Sequence, residues 1–277
     1  MKLGVMIEGQ EGLTWDRWRT IMRRTEELGY ESLWRSDHFW SLMGHPERNA
    51  LETFTSLTLA AAETTRLRFG PLVAPLTFRH PALMARMAAA IDQLSGGRFV
   101  LGVGAGWNVP EHAAFGLPFP PVRDRMDMLE EGIQVIRALL RPGKATFEGR
   151  HYRLTEAEMH PKPAQAPLPL LVGGGGERRT LRIVARYADE WNLTGATPDR
   201  VREKSAVLER HCAAEGRDPR AIARSLMVGF VIGRNDRELS RRLAALRVVM
   251  PNLGAGSDAD TLDAPVAGAG WPAVRPR

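Results

Sequence analysis

The chain has 277 residues, 44% of them hydrophobic and 25% charged, with a formal net charge of +6. Its basic residues are spread along helices among acids, which argues against nucleic-acid binding, and no apolar run is long enough to cross a membrane. One cysteine, Cys212, excludes a disulfide framework and a thiolate metal site, and the short apolar run Leu3 to Ile7 is no signal-peptide core, so a reducing cytoplasm is expected.

In chain order, residues 2–7 read as a strand. Thr14 then caps a helix whose apolar stripe is Trp18, Ile21, Met22, Thr25 and Leu28, stopped by Gly29. Residues 32–35 form a second strand, with Asp37 and His38 at its end, and a loop over 39–50 leads to a helix through Phe54, Leu57 and Ala61. A third strand over 67–73 is followed by a helix with Pro81 near its start and Met84, Met87, Ala88, Ile91 and Leu94 on one face. The fourth strand covers 99–103, and a helix over 123–140 is buried through Met126, Leu129, Ile133 and Ile136. A hairpin turning at Glu148-Gly149 and a proline-rich approach precede the fifth strand, 168–172.

Four consecutive glycines, Gly173 to Gly176, follow that strand and open a helix expected over 177–187. Without Cβ atoms they let the backbone turn sharply and aim N–H groups at an anion, where the helix dipole also favours phosphate. A dinucleotide fingerprint does not fit, because Arg178 stands where its third glycine belongs. A sixth strand over 190–193, a helix to about Ala214, a seventh strand over 226–232 and a helix capped by Asn235 complete the alternation.

Seven strands alternating with seven helices predict a parallel (β/α)8 TIM barrel, incomplete at its C-terminus because the last strand and helix are not evident. The barrel domain is expected over 1–253, with an irregular or disordered tail over 254–277, as in a truncated or frameshifted descendant of a longer protein. In such a barrel the strand-to-helix loops form the active face. They carry His38, Trp40, Trp107, the glycine run and most loop aromatics, which suits a flat apolar ligand with one charged end. The hairpin falls on the opposite face and is expected to act as a plug.

The segments SDHF (36–39), TFRHP (77–81), LSGGRFVLGVGAGWNVPEHAAFGLPFPPVRDRMDMLEE (94–131) and GGGGERRTLRIVARYADEWN (173–192) resemble the luciferase-like flavin-dependent oxidoreductases, which are (β/α)8 barrels, and most resemble the branch using the deazaflavin coenzyme F420. The resemblance implies a flavin or deazaflavin phosphate at Gly174, Gly175, Gly176 and Thr180, and a strand-three bulge with a non-prolyl cis peptide at Leu72-Val73 under the ring. It implies F420 as first choice and FMN as second, a small organic substrate and a homodimer. His38 is the candidate for proton transfer, since imidazole titrates near neutrality, and Asp37, beside it in the catalytic pair, is expected to orient rather than react, as a hydrogen-bonding anchor for the loop. Trp40, Trp107 and Glu111 are placed in the substrate pocket, although Glu111 and His112 also read as solvated loop residues. Arg123 and Arg125 head a helix and hint at an anionic partner. The histidines show no metal-like spacing, so no metal is expected. The activity implied is F420-dependent hydride transfer, with FMN-dependent monooxygenation using molecular oxygen, or a catalytically idle cofactor-binding barrel, as alternatives.

Overall fold

The structure is a computed structural model and describes residues 2–249. Short apolar runs become parallel strands and the amphipathic segments between them become helices. In order these are β1 (Gly4–Ile7), α1 (Trp15–Glu27), β2 (Ser32–Arg35), α2 (Thr53–Glu63), β3 (Arg68–Pro71), β4 (Ala74–Pro75), α3 (Pro81–Leu94), β5 (Leu101–Gly104), α4 (Val109–Ala114), α5 (Val122–Leu140), β6 (Ala145–Glu148), β7 (Arg153–Ala157), β8 (Leu170–Gly173), α6 (Thr180–Tyr187), β9 (Glu190–Thr194), α7 (Pro198–Ala214), β10 (Ala223–Met227) and α8 (Asp236–Val249). The expected third strand is divided into β3 and β4 by Leu72-Val73, whose peptide bond is cis.

Parallel pairing runs β1-β2-β3 and β4-β5-β8-β9-β10, and the bridge between Phe69 and Phe99 joins the two sets. This is the staves-and-helices order of a (β/α)8 barrel. Alternation along each strand divides the core into two layers. Trp34, Val100 and Leu171, with Met6, Leu72 and Val73 against them, fill the barrel axis. Leu33, Phe69, Phe99, Leu101 and Val172 face outward and join Trp18, Leu57, Met84, Ile133 and Leu181 of the helices. Each fully buried Leu or Phe contributes about 1.5–3 kcal/mol through burial, so this outer layer is the main source of stability. Arg35 also points outward. It is buried, its guanidinium lies 5.2 Å from the Trp18 ring, and it donates to Ser56 Oγ and the Leu51 carbonyl. Burial pushes its pKa down to about 10.

Three expectations change. The seventh strand is Ala223–Met227 rather than 226–232, because its pairing with β9 starts at Ala223 opposite Glu190, where a turn capped by Asp218 delivers it. Helix α6 starts at Thr180, three residues late, since residues 177–179 form a turn and the Leu181 N–H reaches back to the Gly176 carbonyl. The hairpin is no plug on the far face. The Glu131 carboxylate of α5 accepts the N–H groups of Arg150, His151 and Tyr152, and Tyr152 packs edge-on against His80, the residue capping α3. These contacts draw its tip up the outside of the barrel toward the end where the strands finish. The residues assigned to an irregular tail, 254–277, and to any eighth strand lie outside the described residues.

Candidate active site

The C-terminal end of β2 carries Ser36, Asp37 and His38 into a network that fixes each of them differently. Ser36 Oγ accepts the Gly9 N–H at 3.1 Å and donates to Gln10 Oε1 at 2.5 Å. Asp37 is 4% exposed and meets Arg79 through both oxygens, at 2.5 and 3.1 Å. Arg79 continues to Glu52 at 2.8 Å and lies over the Phe54 ring. Burial opposes the charge on Arg79, but Asp37 and Glu52 outweigh it and raise its pKa. With both oxygens held by a two-pronged arginine, Asp37 ties the loop after β2 to Arg79, and its carboxylate is spent.

His38 differs. Its Nδ1 lies 2.9 Å from Glu111 Oε2, and Glu111 Oε1 accepts the Phe39 N–H at 2.5 Å. Glu111 is 0% exposed. A carboxylate accepts, so the pairing with Glu111 calls for an imidazole proton on Nδ1 and leaves Nε2 for other work. Among the described residues Nε2 has no hydrogen-bond partner, and the ring is 12% exposed beside Trp107, with ring centroids 5.8 Å apart. His112 makes the contrast. Its Nδ1 meets the Asn108 carbonyl at 2.6 Å and its Nε2 meets Thr77 Oγ1 at 2.8 Å. Both nitrogens are in use, and His112 is structural.

Helix α4 delivers both partners. Asn108 caps it by accepting the Glu111 N–H at 3.1 Å, and Pro110 sits in the first turn, where no amide N–H is needed. The capping turn aims Glu111 at β2. Glu111 was expected to line the substrate pocket or face water, and it does neither. It is buried behind His38 as the group that sets the ring's tautomer. The signal was the spacing Asn108-x-x-Glu111, a cap followed by an acid three residues on.

Aromatic side chains form the rim. Phe39 stacks on Phe115 at 4.6 Å and meets Phe78 edge-on at 4.9 Å, and Trp40 packs edge-on against Phe115 at 5.7 Å. Trp107 is 65% exposed and flanks His38. Large exposed apolar side chains clustered at one mouth mark a ligand-binding face. Trp40 belongs to the packed part of this cluster and Trp107 to its open edge. Arg125 lies over Phe119, 3.8 Å from the ring centroid, and donates to the Pro120 carbonyl, so it braces the loop. The Arg123 carbonyl accepts from Arg179, which ties the starts of α5 and α6 together.

The floor and the glycine loop meet at Val73. A Cβ on Gly104 would stand 2.7 Å from one Val73 methyl and a Cβ on Gly173 would stand 3.0 Å from the other. The two glycines at the tops of β5 and β8 therefore make the seat in which Val73 sits. Beyond Gly173 the chain turns at Gly174, with φ +116, and a Cβ on Gly175 would strike Leu193 at 2.8 Å. The N–H groups of Gly175, Gly176, Glu177, Arg178 and Arg179 donate to no group among the described residues. Five unpaired N–H groups beside a helix start suit an anion. The unpaired N–H groups are of the chemistry that a phosphate takes. The assigned residues Leu72, Val73, Gly174, Gly175, Gly176 and Thr180 thus share one end of the barrel with Asp37, His38, Trp107 and Glu111. Beside the glycine loop, Asp124, Asp127 and His151 bring oxygen and nitrogen atoms within 4.8 Å of one another, but Arg150 and Arg179 neutralise the two carboxylates.

The model of the luciferase-like monooxygenase family matches residues 1–273. The chain belongs to that family. It is 36% identical over 168 residues to the F420-dependent glucose-6-phosphate dehydrogenase of Amycolatopsis mediterranei, covering 60% of this chain and 48% of that protein. It is 28% identical over 256 residues to the F420-dependent hydroxymycolic acid dehydrogenase of Mycobacterium tuberculosis, covering 90% of this chain and 69% of that one. The chain spans about half the length of several of the curated relatives it matches. A solved F420-dependent secondary alcohol dehydrogenase in complex with an F420-acetone adduct superposes with a TM-score of 0.80 at 22% identity, over 91% of this chain and 76% of that one. At that identity the likeness establishes the barrel fold.

Proposed function

We propose that this luciferase-like family member is an F420-dependent oxidoreductase that interconverts a small organic alcohol and its carbonyl compound. The observation that carries this reading is the His38–Glu111 pair: an imidazole held at Nδ1 by a buried carboxylate, with Nε2 open, on the same barrel mouth as five unpaired N–H groups. Similarity to two F420-dependent dehydrogenases supports the choice of deazaflavin. When bound, F420 supplies the hydride acceptor or donor.

The chain's own share is orientation and proton management. Gly175 and Gly176, with the start of α6 and Thr180, hold the phosphate end. Val73 and Leu72 support the ring. In the oxidising direction, Nε2 of His38 takes the hydroxyl proton of the alcohol while its carbon gives up a hydride, and Glu111 stabilises the imidazolium that results. In the reducing direction the same proton returns to the carbonyl oxygen. Trp107, Trp40 and the phenylalanine cluster exclude water from the mouth.

The family description also fits FMN-dependent monooxygenation, because the N–H cradle accepts either phosphate. Titration of the purified chain with F420 and with FMN, followed by mass and absorbance of any chromophore released on denaturation, decides between them. Saturable F420 binding with alcohol-dependent cofactor reduction is the expected result. Binding of FMN alone replaces the dehydrogenase with the flavoprotein monooxygenase, and binding of neither removes both.

Two further assignments accompany this reading. A homodimer remains part of this reading on the strength of the family resemblance alone, and size-exclusion chromatography with light scattering tests it. The single, buried Cys212 supports a cytoplasmic setting, and no helix among the described residues is long and apolar enough to cross a membrane.

A further inference from the structure

One buried cation stands beside the glycine loop. Lys204 lies two turns into α7, and its side chain is 8% exposed. Its Nζ donates to Oε1 of Glu177 at 2.8 Å. Glu177 directly follows the four glycines, and its side chain is 51% exposed. The Lys204 Cε lies 3.8 Å from the point that a Cβ on Gly175 would occupy. The ammonium therefore stands next to the run of unpaired N–H groups.

The pairing is unequal. Lys204 is committed to the interior, and an ammonium has three donors, of which Glu177 takes one. Glu177 is half in water, and apart from Lys204 its only hydrogen-bonding contact is that of its carbonyl with His211 Nε2 at 2.7 Å among the described residues. The hydrogen bond from Lys204 holds the Glu177 carboxyl below its usual range. A lysine with no inward partner reaches solvent along its own stem. This one is turned toward the loop instead, and a solvated carboxylate offsets the cost of its burial while staying easy to displace.

We propose that Lys204 is a further anion-binding residue of the glycine loop, and that Glu177 is a placeholder carboxylate which yields Lys204 to the incoming phosphate. This rests on the reading that the phosphate end of the cofactor lies on Gly175 and Gly176. In the empty loop Glu177 neutralises Lys204. When a phosphate arrives, its oxygens take the ammonium as well as the backbone N–H groups, and the displaced Glu177 side chain turns to water. The loop thus gains a charge-assisted hydrogen bond, and Glu177 competes with the ligand for it.

A merely structural bridge, stapling α7 to the loop, makes a different prediction. Breaking it from either side loosens the same loop, so both single variants weaken phosphate in the same direction. The placeholder gives opposite signs. The test is calorimetric titration of the full chain with inorganic phosphate, and fluorescence titration with F420, for the wild type, Lys204→Met, Glu177→Gln and the double variant. We expect Lys204→Met to bind phosphate about tenfold more weakly, the loss that one charge-assisted hydrogen bond brings. Glu177→Gln, at an exposed position that folding tolerates, binds phosphate about threefold more tightly. The double variant matches Lys204→Met, because a placeholder without its lysine has nothing to withhold.

Unchanged phosphate affinity in Lys204→Met, weaker binding in both single variants, or no phosphate binding to the wild type overturns the proposal. Opposite signs with phosphate, together with no F420 binding to the wild type, uphold the placeholder and remove the cofactor reading. F420 binding that is indifferent to Lys204→Met removes the placeholder and leaves that reading standing.

Discussion

The two ends of the barrel use hydrogen bonds in opposite ways. Where the strands begin, arginines close off helix C-termini. Arg98 donates to the carbonyls of Ala61, Thr64, Leu67 and Ser95, Arg137 to those of Leu168 and Tyr187, and Arg217 to those of Ala185 and Ala188. Carbonyls left over at helix ends are thereby consumed, and cations lie where the helix dipole favours them. Where the strands finish, buried carboxylates hold the loops: Glu11 gathers Ser41, Leu42, Met43 and Arg48, Asp37 holds Arg79, and Glu111 holds His38 and Phe39. Yet that end leaves groups unspent, namely Nε2 of His38 and the N–H groups of residues 175–179. The difference teaches that saturated bonding serves stability, while unsaturated groups on a braced frame are available to a ligand.

Breaking groups at each end sharpens that comparison. The largest expected effect is at the mouth. His38→Ala lowers turnover about 10²–10⁴-fold, the usual worth of a positioned general acid or base, with the urea midpoint and F420 affinity nearly unchanged. Steady-state kinetics beside a urea titration check this, and wild-type turnover in the variant removes His38 from the chemistry. Next, Gly175→Asp sets a side chain against Leu193 and a negative charge in the cradle, weakening F420 binding by about two orders of magnitude in a fluorescence titration, since like charges meeting at a binding site cost several kcal/mol.

At the other end the balance reverses. Arg98→Met strips partners from several carbonyls and costs roughly 1.5–3 kcal/mol of unfolding free energy, while turnover per folded molecule stays at the wild-type value. An equal loss of turnover there dissolves the distinction between the two ends. The smallest effect concerns acid. Burial disfavours the charge of Glu26, but the N–H groups of Arg66, Thr65 and Leu67 outweigh this and hold its carboxyl below the usual carboxylate range. Its contribution is therefore present above the unfolded pKa and is lost as pH falls through the folded one. Glu26→Gln flattens the acid limb of the stability curve by a few tenths to about 1 kcal/mol, as expected for a group near solvent. Superimposable curves for variant and wild type contradict it.

The architecture was legible because its signals are local. Buried parallel strands read as short apolar runs, helix starts carry caps such as Thr14 and Thr197, and the four glycines announce their turn. The site was legible in part. His38, Trp107 and the glycine loop follow from their positions after strands, but Glu111 passed for a loop acid because its destination is set by His38, 73 residues away. Lys204 reads in sequence as one lysine among the charged residues of α7, and its contact with Glu177, 27 residues away, is visible only in the structure. Strand β10 was misplaced because hydrophobicity pointed to 226–232, while pairing with β9 fixed the strand earlier and left Leu226, Val228 and Phe230 exposed. Long-range partners and register are the information that no local window contains.

The most direct measurement is the crystal structure of the full chain with F420 bound. The phosphate is predicted within hydrogen-bond reach of the Gly175 and Gly176 N–H groups, with the ring on Val73 and its reactive edge toward Nε2 of His38. A phosphate seated elsewhere, or a ring on the far side of the barrel from His38, contradicts the assignment of this mouth as the active site.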